Sequence, residues 1–347
     1  MFAPPPLPRT LEASLRDLSS QKAPSRASAI LDLVRYATAD PATRAAALPR
    51  VELALKDDAP TVRAAAAVAL GELGASEALP ALLVCIEDRD SYVRQVAINA
   101  LGEIGDSRAA ARLLRALADE RPEVRYQAII AFPRVAKDDE DGVAAALERA
   151  LGDADESVRY IALRIAEERA DAGILGERQR VVRSAKPLVK DSAVHVALAA
   201  AIFLAKVGED DGRDLLLRVI DQSALRPGRP AREDENEAIL VAGAVGMKEA
   251  VPALERRAWG LGRLVADTCA WSARIALARM GHTRAIEEIT RDLGSQKRQT
   301  RDAAVVAAGR ARLVALSSRL RALGRDEVDP DLLAGALGEL EQAGGGP

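Results

Sequence analysis

The chain has 347 residues, of which 49% are hydrophobic and only 3% aromatic, and its formal net charge is −3. This composition excludes a protein whose whole surface is built for phosphate backbones, and it argues against a bulky core or an aromatic-lined pocket. The two cysteines, Cys85 and Cys269, offer neither a disulfide framework nor zinc-ligand spacing, and the lack of a secretory signal or an 18-residue apolar run predicts a soluble cytoplasmic protein.

The N-terminal residues form the first predicted segment. Residues 1–9 are rich in proline and predict an extended arm. Leu11, Leu15 and Leu18 then recur at helical spacing, which indicates a half-repeat that caps the fold. A first repeat of irregular sequence follows over residues 24–57. We therefore expect the regular part of the chain to begin after this repeat.

A Val-Arg pair then recurs at a nearly fixed period. Successive arginines are 31, 31 and 34 residues apart, and each has an aspartate six positions upstream. The aspartate and arginine pairs are Asp57 and Arg63, Asp88 and Arg94, Asp119 and Arg125, and Asp153 and Arg159. A period near 30 residues is typical of a solenoid, in which each unit packs only on its neighbours.

The second repeat shows the clearest helix signals. An early proline, Pro60, favours a helix start, and the apolar spacing predicts a helix A over residues 62–73. Gly74 is placed to take the left-handed conformation that ends a helix. A helix B is predicted over residues 76–87, with Pro80 in its first turn. Each repeat is thus expected to be a pair of helices.

The later repeats are less regular. Residues 137–141 form a charged insertion in the fourth, and His195 stands at the arginine position of the sixth. A Pro/Gly and charged loop at 226–236 is expected to separate N-terminal repeats at 10–225 from C-terminal repeats and a cap at 237–341, before a flexible tail at 342–347. We predict an all-α solenoid of about nine helix pairs.

Two segments carry a family resemblance. The pattern V-R-x-x-A-x-x-A-L-G-E-(L/I)-G occupies residues 62–74 and 93–105, and A-x-P-x-L follows at 78–82. These residues resemble HEAT repeats, specifically the short bacterial kind named after the phycobilin-lyase family. The resemblance implies a right-handed α-solenoid. It also implies that the eight aspartates and arginines of the Val-Arg repeat form an internal polar ladder between adjacent units, with a structural role.

Residues suited to catalysis are scarce. The histidines are His195 and His282 alone, and there is no His-Glu pair of the kind that repeats in HEAT-like di-iron hydroxylases. Cys85 lies among apolar residues and Cys269 has no activating neighbour. The glycines recur at helix–helix turns and do not form a phosphate-binding loop. We expect no catalytic residue, no metal and no cofactor.

Charged and aromatic residues supply the candidates for partner binding. The resemblance implies that helix B lines a concave face, where an arginine row would suit carboxylates or phosphates. Residues 138–156 carry a net charge of −7 and residues 291–325 carry +7. The two tryptophans either fill a gap or anchor a partner. The candidates are Arg108, Arg112, Arg115 and Arg149 in the row, Arg312, Arg319 and Arg321 at the basic end, and Trp259 and Trp271.

Three functions remain open from the sequence. The leading hypothesis is a non-enzymatic scaffold or adaptor that holds a protein partner on the helix-B face. The first alternative is a lyase or chaperone-type subunit that acts on a chromophore-bearing protein, as the family resemblance suggests. Low aromatic content and scarce cysteine argue against this alternative. The second is nucleic-acid binding through the basic C-terminal repeats, but the basic channel with aromatic and acidic residues that HEAT-like DNA glycosylases use is not evident in the sequence. The sequence does not identify the partner.

Overall fold

The computed structural model describes residues 9–221, 232–259, 269–324 and 327–344. The chain divides into two compact units, Met1–Ser184 and Ala185–Pro347. All regular secondary structure in the described ranges is helical, so the predicted all-α fold is confirmed. Each unit is a short α-solenoid of consecutive helix pairs, and the first helix of each pair is called helix A and the second helix B. Nine such pairs lie in the described ranges, as predicted.

The N-terminal unit holds five of these pairs behind a short first helix. That helix, α1, is Leu11–Asp17, and it packs on the following helix as the predicted half-repeat cap. The pairs are α2 Ala23–Ala39 with α3 Pro41–Ala54, α4 Pro60–Glu72 with α5 Leu79–Cys85, α6 Ser91–Ile104 with α7 Ala110–Ala116, α8 Pro122–Val135 with α9 Glu140–Leu151, and α10 Glu156–Asp171 with α11 Arg178–Ala185.

The C-terminal unit continues the same pattern. Its pairs are α12 Val194–Lys206 with α13 Arg213–Asp221, α14 Arg232–Ala244 with α15 Val251–Trp259, α16 Ala270–Arg279 with α17 Thr283–Asp292, and α18 Arg298–Arg310 with α19 Ser317–Arg321, and the cap is α20 Pro330–Gly344. The unpaired α20 packs on α18 and closes the last apolar face.

Local sequence explains where the helices start and stop. The side chain of Asp90 accepts hydrogen bonds from the backbone N–H groups of Tyr92 and Val93, which caps α6. Gly105 takes a left-handed φ of 70° and ends the same helix. The predicted second helix at 76–87 is shorter in the structure, because Ser76–Ala78 forms a 3₁₀ turn before α5.

The A helices of the N-terminal unit are held close together by small residues. Helix α6 contacts both α4 and α8. An added Cβ at Gly102 would lie 2.9 Å from the Cβ of Ala131 on α8, so only glycine allows this approach. Alanine, leucine, valine and isoleucine fill the layer between the A and B helices, as the low aromatic content predicted. The largest fully buried side chains here are Ile30, Leu33, Leu70, Leu79, Leu82, Ile98, Leu101, Leu113, Ile129, Leu147 and Leu151.

The predicted domain limits differ from the structure at three places. Helix α14 begins at Arg232, so residues 232–236 of the predicted loop are helical, and residues 222–231 lie outside the described ranges. Helix α14 also packs on α12 and α13, so the same stack continues past this segment. The cap α20 extends through residues 342–344 of the predicted tail. The division between compact units falls after Ser184 instead of at the loop.

The arm and the tail are described only in part. Residues 1–8 and 345–347 lie outside the described ranges. Arg9, predicted as the end of the arm, forms ion pairs with Asp17 at 3.2 Å and with Asp32 at 3.0 Å. Arg9 is therefore attached to the first helices. Among the described helices, none has the length and apolar character needed to cross a membrane.

Candidate partner-binding surface

The arginines of the Val-Arg repeat join each unit to the next. The Nε and Nη2 groups of Arg63 donate to both carboxylate oxygens of Asp88, at 2.7 and 2.8 Å. The same two-pronged pair joins Arg94 to Asp119, at 2.8 and 2.9 Å, and Arg125 to Asp153, at 2.7 and 2.6 Å. Such bidentate pairs combine charge with fixed geometry. The structure therefore places a polar ladder along the N-terminal unit.

Within one unit the arginine and aspartate meet in a different way. The Nη1 group of Arg63 donates to the backbone carbonyl of Asp57, six residues upstream, at 2.9 Å. The equivalent bonds run from Arg94 to Asp88, from Arg125 to Asp119 and from Arg159 to Asp153, at 3.0, 2.9 and 2.8 Å. The carboxylate of each aspartate instead faces the arginine of the preceding unit. Arg63, Arg94 and Arg125 are thus each hydrogen-bonded both to the turn before their own helix A and to the turn before the helix A of the next repeat.

The first rung of this ladder was not predicted. Arg26 lies in α2 and donates to both carboxylate oxygens of Asp57, at 2.8 and 2.6 Å. Its Nη1 group donates to the carbonyl of Ser20, again six residues upstream, at 2.9 Å. The sequence signal was weak because serine replaces the valine before Arg26. The six-residue spacing to a backbone carbonyl is the feature that the irregular repeat keeps.

The ladder lowers the pKa values of Asp88 and Asp153. Burial by itself raises the pKa of Asp88, but the hydrogen bond from Arg63, the backbone N–H of Asp90 and the arginine charge together bring this pKa below its ordinary value. The pKa of Asp153 is also lowered, by the balance of burial against its bonds to Arg125 and to a backbone N–H. Both carboxylates are therefore ionised at neutral pH and accept hydrogen bonds from an arginine and from a backbone N–H group.

The two cysteines and the histidines lie in packed surroundings. Burial raises the pKa of the Cys85 thiol to about 11, which makes it a poor nucleophile. Cys269 is buried with its sulfur 3.8 Å from a carboxylate oxygen of Glu235. His195 is half-buried near the start of α12. The side chain of His282 is 24% exposed, and its Nε2 lies 3.0 Å from a carboxylate oxygen of Glu255.

A row of side chains lies at one equivalent position of four successive B helices. Leu53, Val84, Arg115 and Arg149 each stand four residues before a ladder aspartate, on α3, α5, α7 and α9. All four are exposed, and the two apolar members are 69% and 72% exposed. Because the ladder fixes the register of the repeats, these positions recur in the same place on each pair. We call these four residues the B-row.

Grooves separate the B helices beside the B-row. One groove of about 440 Å³ lies between α3 and α5 and is lined by Leu53, Val84 and Cys85. A second groove of about 440 Å³ lies between α1 and α3, and Leu53 also borders it. A smaller one of about 170 Å³ lies between α5 and α7, beside Arg115. The surface therefore has an apolar half with two wide grooves and a basic half.

The other arginines of the predicted row are tied to carboxylates. Arg108 lies in a 3₁₀ turn before α7 and donates three side-chain bonds to Asp106, at 2.6 to 3.1 Å. These bonds and the backbone N–H of Arg108 lower the pKa of Asp106 to about 2. Arg112 pairs with Glu87 across the groove between α5 and α7, at 2.6 Å. Arg115 and Arg149 have no such ion pair with any described carboxylate.

The two tryptophans lie in one packed cluster of the C-terminal unit. The indole N–H of Trp259 donates to Glu288 at 2.8 Å, and the guanidinium of Arg284 lies 4.2 Å from its ring centre. Arg274 lies 5.2 Å from the ring centre of Trp271. Both indoles are half-buried. The hydrogen bond from the indole N–H of Trp259 is thus already accepted by Glu288, so no partner is needed to accept it.

The basic C-terminal end is divided among different contacts. Arg321 pairs with Glu341 at 3.0 Å. Arg319 is exposed on α19, with one of its nitrogens near Gly294. Arg301 reproduces the ladder with backbone carbonyls alone, because its guanidinium donates to Ser295 and to Glu327. Arg312 lies apart, at the turn between α18 and α19.

No group of histidine, cysteine, aspartate and glutamate side chains able to hold a metal ion occurs within residues 9–221, 232–259, 269–324 and 327–344. The arrangement that the structure does offer is a ladder of paired charges inside and an apolar-to-basic row outside. Such a surface can bind a chain segment through side-chain burial at one end and charge pairing at the other.

Comparison with solved structures finds matches of low sequence identity. An engineered protein is 16% identical over 95% of this chain and 98% of its own, with a TM-score of 0.45. The complex of CpcE and CpcF of phycocyanin lyase from Nostoc sp. PCC7120 is 19% identical, over 83% and 96%, with a TM-score of 0.36. The E. coli protein YIBA is 18% identical, over 79% and 94%, with a TM-score of 0.48. Values this low say nothing about shared activity.

The comparison of sequences is more specific. No curated protein sequence matches the chain. The family described as HEAT repeats matches residues 48–133, which hold α4 to α7 and parts of the helices on either side. The ladder residues Arg63, Asp88 and Arg94 lie within this segment. The helix pairs before and after it have the same order of elements. The resemblance found in the sequence is thus confirmed, and residues 48–133 match HEAT repeats.

Proposed function

We propose that this protein is a non-enzymatic scaffold that binds a protein partner on the helix-B face of its N-terminal unit. The HEAT repeats support a role in protein interaction in general. The observation that carries the finer proposal is the B-row, Leu53, Val84, Arg115 and Arg149, at one position of four successive repeats. Large apolar side chains that are about 70% exposed beside wide grooves cost solvation free energy that a bound partner would recover.

The chemistry of the B-row defines the partner segment. The apolar half, Leu53 and Val84, fits apolar side chains that enter the grooves. The basic half, Arg115 and Arg149, fits carboxylates, because a guanidinium can donate two parallel hydrogen bonds to one carboxylate. Neighbouring helices are about 10 Å apart, so the four residues of the B-row span about 30 Å. This is the length of a helix of roughly 20 residues. The partner segment is therefore an amphipathic helix with its acidic residues at one end.

The test is affinity capture with substitutions in each half of the B-row. Leu53→Glu with Val84→Glu places two carboxylates among the grooves, and Arg115→Glu with Arg149→Glu reverses the basic half. We expect each double variant to lose more than tenfold of the partner recovered with the wild-type chain. The matched control is Leu31→Glu with Arg134→Glu, because both residues are exposed on A helices.

The capture results can be interpreted only if the variants fold like the wild type. Circular dichroism and melting temperature should be unchanged in all three double variants, because the substituted side chains are exposed. Crosslinking followed by mass spectrometry should then place the partner within reach of Lys56, which borders both wide grooves. Equal capture by the wild type and both B-row variants would contradict the proposal, and so would loss of the partner in the control alone.

The two alternative functions stay predictions. Binding of a bilin would change its absorbance spectrum when the chain is added, and an unchanged spectrum would contradict a lyase-type role. Nucleic-acid binding through the basic end would weaken steeply with salt, because phosphate contacts release counterions. The B-row proposal predicts that partner capture depends on the apolar half as well, and a purely electrostatic ligand would not show this dependence.

A further inference from the structure

A second site lies in the C-terminal unit, among the A helices. A cavity of about 260 Å³ opens between the C-terminal ends of α16 and α18 and the side of α20. It is lined by the apolar residues Leu240, Ile275 and Ala276 and by the polar residues Arg279, Arg310, Arg312, Glu339 and Gln342. This cavity belongs to the A-helix layer and to the other unit, so it is distinct from the B-row.

Three arginines line this cavity, and few carboxylates are present to neutralise their charge. Arg279, Arg310 and Arg312 form no ion pair with a carboxylate of the described residues, and a single carboxylate, Glu339, lines the same space. One long hydrogen bond of 3.4 Å joins Arg279 to the carbonyl of Arg310. Burial and the nearby charge of Arg312 lower the pKa of Arg279, although Glu339 opposes this effect. The lining therefore carries a net charge of about +2 (three arginines against one glutamate).

Arg312 reaches this cavity from a strained backbone. Its φ is 55°, in the left-handed region that glycine favours. It occupies the turn position after helix A, where the N–H of the next residue bonds back to a carbonyl near the helix end. Six other repeats place a glycine with positive φ at this position, namely Gly74, Gly105, Gly173, Gly208, Gly246 and Gly281. In this repeat alone, among those described, an arginine takes the place of that glycine.

The replacement of a glycine by a strained arginine needs a compensating reason. The guanidinium of Arg312 donates no hydrogen bond to any described group, so no side-chain hydrogen bond offsets the strain. Strained residues of this kind persist where function requires their position, and here that position is the wall of a cationic cavity. Guanidinium groups that converge without carboxylate partners are suited to a planar or tetrahedral oxyanion.

We infer that Arg279, Arg310 and Arg312 form a binding site for a phosphate monoester dianion. A dianion balances the net charge of the lining, and its three terminal oxygens can each accept from a different guanidinium. The organic part of the ester then lies against Leu240, Ile275 and Ala276. The ester is either a free small molecule or a phosphorylated side chain on another protein, since both present the same terminal group.

Calorimetric titration of the full chain at low salt and pH 7.5 tests this site. The ligands are inorganic phosphate, O-phosphoserine and a seven-residue peptide with a central phosphoserine. We expect saturable binding that weakens at least tenfold in Arg312→Gly and in Arg279→Gln. Arg291→Gln is the matched control for the loss of one charge, because Arg291 is exposed on α17 away from the cavity, and it should change affinity less than twofold. The affinity should rise from pH 5.5 to 7.5, as phosphate loses its second proton.

The melting temperature of Arg312→Gly gives a second, independent readout. Glycine relieves the positive φ, so without ligand this variant should melt at the same temperature as the wild type or higher. Tighter binding of the peptide than of O-phosphoserine would assign the site to a phosphorylated partner, and equal binding would assign it to a small molecule. Equal weakening in Arg291→Gln would overturn the site. If Arg312→Gly melts at a lower temperature and the wild type binds no phosphate, the role of Arg312 is instead to stabilise the turn at the end of α18.

Discussion

At the scale of single residues, the repeat motif has two separate chemical parts. The carboxylate of each ladder aspartate faces the preceding unit, while its backbone carbonyl faces the arginine of its own unit. The ladder therefore fixes both the turn within a repeat and the register between repeats. Charged residues on the B-helix side of the same unit, such as Arg112 with Glu87, form ordinary exposed pairs. Burial distinguishes the two kinds.

The first prediction contrasts these two kinds of ion pair. Arg63 and Asp88 have side chains that are only 7% and 12% exposed. We expect Arg63→Ala to lower the free energy of unfolding by about 3 kcal/mol, because it leaves the buried Asp88 carboxylate without its partner. Arg112→Ala should cost no more than about 0.5 kcal/mol, since its pair with Glu87 is solvated. Urea denaturation of both variants measures the difference, and equal losses would contradict it.

The second prediction concerns pH. The pKa values of Asp57, Asp88 and Asp153 are lowered in the folded chain, while an unfolded aspartate keeps a value of about 3.9. The folded state therefore binds fewer protons, and the stability from these carboxylates is complete above that value. It is lost as the pH falls below about 4 towards the lowered pKa values. The melting temperature, measured from pH 7 to pH 2.5, should therefore decrease as the pH falls below about 4.

A variant separates the ladder from the other acidic groups. Asp88→Asn cannot ionise at one rung, so its stability should start lower at pH 7 and fall less between pH 4 and pH 2.5 than that of the wild type. A pH dependence identical to that of the wild type would show that the rung at Asp88 contributes nothing to acid sensitivity. Glu120→Gln, a change of an exposed carboxylate, is the matched control.

At the scale of helices, small residues decide which layer is tight. Gly71 and Gly102 let α4, α6 and α8 approach so closely that no Cβ would fit at either position. Grooves instead lie among the B helices beside the B-row.

The acidic insertion in the fourth repeat also has a structural role in a helix. The Asp139 side chain accepts from the N–H of Gly142, and Glu140 and Asp141 lie in the first turn of α9, where negative charge is favoured.

The third prediction uses one substitution at two glycines. Gly102→Ala would place a Cβ 2.9 Å from the Cβ of Ala131 and 3.1 Å from its Cα. We expect it to cost about 2 kcal/mol of stability, because the close-packed A helices must separate. Gly335→Ala meets nothing within 4 Å on α20 and should stabilise by about 0.5–1 kcal/mol through helix propensity. Thermal denaturation of the two variants should therefore shift in opposite directions.

At the scale of the whole molecule, stability is shared between neighbours. Within each of the two compact units, every helix pair contacts the pairs next to it in that unit. A local defect in such an array destabilises nearby repeats more than distant ones. This arrangement explains how irregular repeats, such as the one that carries His195 in an arginine position, can persist inside an otherwise regular stack.

The fourth prediction follows from this local character. Arg63→Ala should speed amide hydrogen exchange in α4, α5 and α6, which contact the broken rung. Exchange in α16, α17 and α18 should stay within about twofold of the wild-type rate, because those helices belong to the other unit. Hydrogen exchange followed by mass spectrometry resolves both regions in one experiment. A uniform increase along the chain would instead indicate a single cooperative unit.

Much of the fold was determined by the sequence itself. Periodic Val-Arg pairs, glycines after helix A and prolines at helix starts predicted nine helix pairs, because helix signals are local and repeat at a fixed spacing. The pairing of Arg63 with Asp88 was implied only through the family resemblance. The rung at Arg26 was missed, since the contact between Arg26 and Asp57 joins residues 31 positions apart without the usual motif.

The tertiary structure alone decided which residues form surfaces. Leu53 and Val84 were not candidates, because an apolar residue near the end of a helix B reads as core until its exposure is known. Arg112 was a candidate, and its carboxylate partner Glu87, 25 residues away, became visible only with the fold. In the sequence Arg312 is one of nine basic residues within 291–325. Its positive φ and its place at a cavity depend on three-dimensional packing. Local spacing determines helices, but exposure and charge pairing depend on contacts between residues distant in sequence.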